Sequence, residues 1–133
     1  MNASLIDTDI LSQFFRGNSK VATKMKTYLQ YYDSIPLSII TFYEILNGLY
    51  YKDSKNMLRR FLEFTSMNNV VPLTVLSTKL SARIYAELRK NGITIGHTDV
   101  LIAGIALTNG MTLITNNTKH FDKIDGLVIE TWM

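Results

Sequence analysis

Two rhythms of apolar and polar positions alternate along this chain. Short apolar runs occupy "SLIDT" (4–8), "SIPLSII" (34–40), "NVVPLTV" (69–75), "MTLIT" (111–115) and "GLVIET" (126–131), and each predicts a strand. The segments between them follow the helical period. "DILSQFF" (9–15) sets Ile10, Leu11, Phe14 and Phe15 on one side, and Gly17-Asn18-Ser19 ends it. Helices are also predicted over 20–32, from Thr41 to Tyr51 and over 54–66. Over 77–90, Leu80, Ile84 and Leu88 recur every four residues, the clearest amphipathic pattern in the chain. "TDVLIAGIALTNG" (98–110) is so uniformly apolar that it predicts a helix buried on nearly all sides. Strands alternating with helices predict a three-layer α/β fold around a mainly parallel five-stranded sheet. In such sheets ligands gather beyond the carboxyl ends of the strands, so polar residues just after strands are the candidates for chemistry.

Composition narrows the picture. The 133 residues carry no internal repeat and no linker-like Gly/Ser/Pro tract, which predicts one domain over 1–133. No run approaches the roughly 18 uninterrupted apolar residues of a membrane span. "MNASLIDTD" lacks the basic start and apolar core of a secretory signal, and Asp7 stands where that core belongs. The chain has no cysteine, which excludes disulfides and thiolate zinc sites and, with the missing signal, points to the cytoplasm. The net charge is +3, from fourteen Lys and Arg against eleven Asp and Glu. Basic residues are densest at Lys20, Lys24 and Lys26, and at Lys52, Lys55, Arg59 and Arg60. Such groups serve as solvated helix faces or face a polyanion, and composition leaves both open.

Four polar positions follow strands or open helices. Asp7 ends the first strand, Glu44 lies about a turn into the helix after the second, Asp99 opens the apolar helix, and Asn117 lies just past the fourth strand. Each also has a purely structural explanation. Asp7 can cap the first helix, and "TFYE" can be a capping box with Thr41 as N-cap and Glu44 as its acid. Asp99 can complement a helix dipole, and Asn117 can serve a turn in "TNNT". Together they suggest more. Asp99 is drawn toward the core by "VLIAGIAL", with no basic residue beside it in sequence, and an unpartnered buried carboxylate is costly. If Asp7 and Glu44 reach the same place, their repulsion is relieved by a proton or by a divalent cation. Hard Mg²⁺, or Mn²⁺, suits carboxylate oxygens and promotes phosphodiester hydrolysis. Asp9, two residues after Asp7, falls where helix starts favour an acid and is assigned a structural role.

"LIDTDIL", "SIITFYEILNGL", "HTDVLIAGIAL" and "LITNNTKHF" occur in an order and context that resembles the PIN-domain ribonucleases, most closely the VapC toxins of toxin–antitoxin pairs. The resemblance extends to the final "GLVIETWM". It implies a parallel sheet of strand order 3-2-1-4-5 and a Mg²⁺-dependent endoribonuclease. By the same resemblance the metal site comprises Asp7, Glu44 and Asp99, with Thr115 and Asn117 completing it. Asn117 brings a neutral oxygen where part of the family has an acid, which weakens any second metal site. Thr8 and Ser38 are expected to support the site through hydrogen bonds. Arg16, Lys20 and Lys119 are the candidates for holding RNA backbone around it. His120 falls where some relatives carry an acid, and His97 precedes the helix of Asp99; neither is assigned to the metal.

The resemblance also implies partners: a transfer or ribosomal RNA substrate, a cognate antitoxin seated on the early helices, and a homodimer that assembles further with the antitoxin. Tyrosines at 28, 31 and 32 and at 43, 50 and 51 mark a candidate second surface. Two alternatives stand beside this assignment. A haloacid-dehalogenase-like phosphatase shares the strand-end Asp-x-Asp, but it needs an acidic pair where "TNNTKHF" offers amides. The other is a catalytically silent PIN module, against which the intact Asp7, Glu44 and Asp99 argue.

Overall fold

The computed structural model describes residues 2–133. In chain order the elements are β1 (Ser4–Ile6), α1 (Thr8–Phe15), α2 (Ser19–Tyr28), β2 (Pro36–Ser38), α3 (Ile39–Tyr51) and α4 (Lys55–Ser66). They continue with β3 (Asn69–Val71), α5 (Val75–Lys90), α6 (His97–Thr108), β4 (Thr112–Ile114), α7 (Thr118–Phe121) and β5 (Ile129–Glu130). Every predicted strand and helix is present, with shorter strands than the apolar runs suggested. The one-turn α7 lies in a stretch whose polar sequence carries no helical period.

Side-chain alternation along β1 and β4 builds the layers. Leu5 pairs with Leu113, and both enter a core with Val100, Ile102 and Ile105 of α6. Their neighbours Ile6 and Ile114, also paired, enter the opposite core with Ile10, Leu11, Val21 and Phe61. A period of two in the strands thus divides the helices between two faces.

All strand pairs are parallel, but the expected single five-stranded sheet is corrected: β1-β4-β5 form one sheet and β2-β3 a second. β1 and β2 run side by side without ladder hydrogen bonds. The backbone explains the break. The Ser4 N–H, which faces away from β4, is taken by the Tyr28 hydroxyl at 3.1 Å. Across the seam, Asn69 N–H donates to Ile35, so the intervening Pro36 faces β1 and has no N–H to give.

The face of α5 packed on α6 also differs from its apolar pattern. Leu88 is buried and half-exposed Ile84 packs on the core as the stripe predicts, but Ser77 and Ser81 are buried as well and Leu80 is half-exposed. Gly104 is the cause: a Cβ at this position would overlap Ser81 Oγ and stand 2.8 Å from the Ser77 carbonyl oxygen. The helices therefore approach closely, and Ser81 Oγ donates to the Val100 carbonyl at 2.8 Å. Gly104→Ala should destabilise the protein by about 2 kcal/mol through overpacking, read as a lower urea midpoint at unchanged slope.

Candidate active site

The register that sets Ile6 beside Ile114 brings Asp7 and Thr115 out of adjacent strand ends. Asp7 is 3% exposed. Its Oδ2 accepts from Thr115 Oγ1 at 2.8 Å, and its Oδ1 accepts from the Thr8 N–H at 2.9 Å, so Asp7 also caps α1. Thr115 Oγ1 in turn accepts from the Asn117 N–H at 3.0 Å. Burial above all, then the charge of Asp9 and more weakly that of Asp99, pushes the Asp7 carboxyl from 3.8 up to about 7; the two hydrogen bonds oppose that rise.

Asp99, third residue of α6, is not the unpartnered acid its sequence context suggested. Its side chain is 22% exposed, and Oδ2 lies 2.9 Å from Nδ1 of His120 on α7. An ionised carboxylate only accepts, so the pairing with such a group requires the hydrogen on Nδ1. This partner comes from 21 residues away on another helix, beyond any local pattern. The one available signal was the cost of leaving Asp99 alone.

Asp9 has the structural role expected of it. Its carboxylate accepts from the N–H groups of Ile10 at 2.8 Å and Asn116 at 2.9 Å, tying the start of α1 to the loop after β4. It also stands close enough to act on Asp7 more strongly than Asp99 does. Glu44 joins through Thr8, whose Oγ1 donates to Oε1 at 2.7 Å and lies 3.0 Å from Thr41 Oγ1. The Thr41–Glu44 capping box does not form. Ser38 caps α3 instead, its Oγ accepting from the Thr41 N–H at 3.0 Å. Asn117 occupies the N-cap position of α7 without a side-chain cap bond, so its amide is not spent on the helix.

Among the described residues, no three His, Asp or Glu side chains stand close enough to enclose a metal ion. Asp9 and Asp99 are the charges that act on Asp7, and Glu44 is connected one hydrogen bond away. The donor chemistry still fits a hard cation. The nearby oxygens are carboxylates, and their mutual repulsion is what a divalent charge relieves.

The basic candidates separate. Arg16 is exposed beside Thr8 and Glu44 along a groove of about 280 Å³ between α1, α3 and α4, which Lys52 also lines. Lys119 is exposed on α7 next to His120. Lys20 lies elsewhere, in a groove with Lys24 and the C-terminal Trp132. Of the tyrosines, Tyr28 is core, whereas Tyr31, Tyr43, Tyr50 and Tyr51 are exposed.

A carboxyl raised on folding contributes stability that is fully present below its unfolded value, 3.8, and lost as pH rises through about 7. In metal-free buffer, Asp7→Asn should therefore gain stability relative to the parent chain as pH rises from about 4 to 8. Urea titrations at several pH values with a chelator present measure that difference.

Residues 4–127 match the family model described as PIN domain. "Ribonuclease VapC1" of Rickettsia felis is 35% identical over 131 residues, which cover 96% of this chain and 94% of the relative. "tRNA(fMet)-specific endonuclease VapC" of Shigella flexneri is 28% identical over 132 residues, 96% of each chain. Among solved structures, VapBC2 from Rickettsia felis bound to a promoter DNA fragment superposes with a TM-score of 0.89 at 25% identity, covering 98% of this chain and 99% of that one. The phosphatase alternative falls with this assignment. The chain belongs to the PIN-domain family and is closely related to the VapC toxins of type II toxin–antitoxin systems.

Proposed function

We propose that this protein is a Mg²⁺-dependent endoribonuclease, the toxin of a VapBC-type pair, acting in the cytoplasm as one domain over 1–133. The observation that carries the proposal is the buried Asp7 carboxylate, loaded with repulsion from Asp9 and Asp99, at the strand ends of a PIN fold. Asp7 and Asp99 would hold Mg²⁺, or Mn²⁺, with Glu44 assisting and the Asn117 amide as a neutral fourth group. Such an ion, when bound, neutralises charge developing on phosphate oxygens and lowers the pKa of water.

The protein's own groups do the positioning. Thr115 and the Thr8 N–H fix both oxygens of Asp7, and His120 orients Asp99. Thr8 directs Glu44 toward the same end of β1, where Glu44 or Asp99 accepts a proton from the attacking water. Arg16 and Lys119 flank this acidic centre and suit the RNA backbone; the place of Lys20 in a separate groove supports a more distant contact. The name of the Shigella flexneri relative supports transfer RNA as the substrate class, with ribosomal RNA the alternative. The groove beside α1, α3 and α4, apolar through Phe15, Ile45, Leu49 and Phe61, suits an antitoxin segment, and the VapBC structures support that partner. A homodimer that assembles further with the antitoxin is part of the same proposal.

Purified protein with Mg²⁺ should cut structured RNA, with Asp99→Asn abolishing cleavage and Asp9→Asn retaining most of it. Mapping of cleavage ends measures both, and equal cutting by Asp99→Asn overturns the assignment. Gly48 lines the groove, and a Cβ there would meet no atom within 4 Å, so Gly48→Trp should fill the groove without disturbing the fold. Co-expressed with the antitoxin partner proposed above, this variant should fail to form the complex that the parent chain forms on size-exclusion light scattering.

A further inference from the structure

His97 is exposed at the first position of α6, two residues before Asp99. Its imidazole lies nearly parallel to the Tyr85 ring of α5, with centroids 4.6 Å apart and planes inclined by 17°. One turn further along α5, Arg89 brings its guanidinium 5.5 Å from the centre of the same Tyr85 ring. Tyr85 is half-buried and packed against the α5–α6 core, so the stack has a firm base. Neither imidazole nitrogen of His97 has a hydrogen-bond partner among the described residues. The adjoining backbone borders the candidate active site, since a Cβ on Gly96 would stand 3.7 Å from Asp99 Oδ2.

A stack that served only to anchor the start of α6 would have no need of an exposed outer ring. Here one face of the imidazole rests on Tyr85 and the residue as a whole remains open to solvent. Exposed Arg89, packed over the same Tyr85 ring, adds a positive charge to the cluster. A flat ring supported from behind, sharing its tyrosine with the Arg89 cation and lying two residues before Asp99 along α6, is suited to an unpaired nucleobase. Bases stack on such rings whatever their identity, while a neighbouring phosphate meets the Arg89 cation.

On the ribonuclease reading above, we infer that His97, backed by Tyr85 and Arg89, is a stacking platform for an unpaired base of the RNA beside the phosphate cut at Asp99. It is a substrate-positioning residue and takes no part in bond breaking. The phosphate faces the acids while the adjacent base lies on the imidazole, which fixes the strand against sliding.

The test pairs two measurements on the whole chain. One is fluorescence anisotropy with a labelled single-stranded RNA of about ten nucleotides in metal-free buffer. The other is cleavage of the same RNA with Mg²⁺. His97→Ala is expected to weaken binding about five-fold or more and to raise KM in parallel, with kcat changed less than about two-fold. His97→Phe, which keeps a ring on Tyr85, should restore both. His97→Leu keeps bulk but not a flat face and should repeat the loss, which covers misfolding of the alanine variant. A drop in kcat and thermal midpoint with RNA affinity intact overturns the platform in favour of a structural stack. Cleavage by the parent chain with a KM indifferent to His97 overturns the platform alone. RNA binding that depends on His97 without any cleavage overturns the ribonuclease reading and leaves the platform standing. Absence of RNA binding by the parent chain overturns both.

Discussion

The hydrogen bond from Thr115 Oγ1 to Asp7 Oδ2 joins the ends of two parallel strands, and most of the candidate site depends on it. It exists because β1 and β4 pair in a register that sets Ile6 beside Ile114, leaving the next residues of each strand to face one another. It opposes the rise that burial and neighbouring charge impose on the Asp7 carboxyl. The same threonine accepts from Asn117 N–H and so shapes the turn that leads into α7. From α7, His120 reaches Asp99. One strand pairing thereby connects three separate stretches of chain to the centre.

Around that centre the protein spends its short polar side chains on orientation. Thr8 works twice, capping Asp7 with its N–H and directing Glu44 with its hydroxyl. Ser38 begins α3 at Ile39 and so sets which turn of that helix Glu44 occupies. Asp9 fastens the loop after β4 through Asn116. Each contact is modest alone, but together they orient Asp7, which the charges of Asp9 and Asp99 act on, and Glu44, which is joined to it through Thr8.

The layers and the acids were legible in the sequence because they follow local rules. Alternation in "SLIDT" and "MTLIT" marked two-sided strands, the all-apolar "VLIAGIAL" marked a buried helix, and acids after strand ends marked the carboxyl edge of the sheet. Where local pattern misled, a specific contact prevailed. Thr41 matched a capping box, yet Ser38 three residues earlier had the better position. Leu88 is buried and Ile84 packs on the core as the stripe in α5 promised, yet Gly104 also drew Ser77 and Ser81 into the contact and left Leu80 half-exposed.

By itself the sequence determined which residues are strand, helix and core, and which acids stand beyond strand ends, since these depend on periods of two and 3.6 and on the chemistry of each side chain. Only the tertiary structure decided that β1 and β2 stay unpaired, because Tyr28 intercepts the Ser4 N–H and Pro36 has none to offer. It alone decided that His120 is the partner of Asp99, that Asp9 presses on Asp7, and that His97 stacks on Tyr85. Those pairs are formed between helices and loops brought together by packing, and nothing in their spacing along the chain records that they meet.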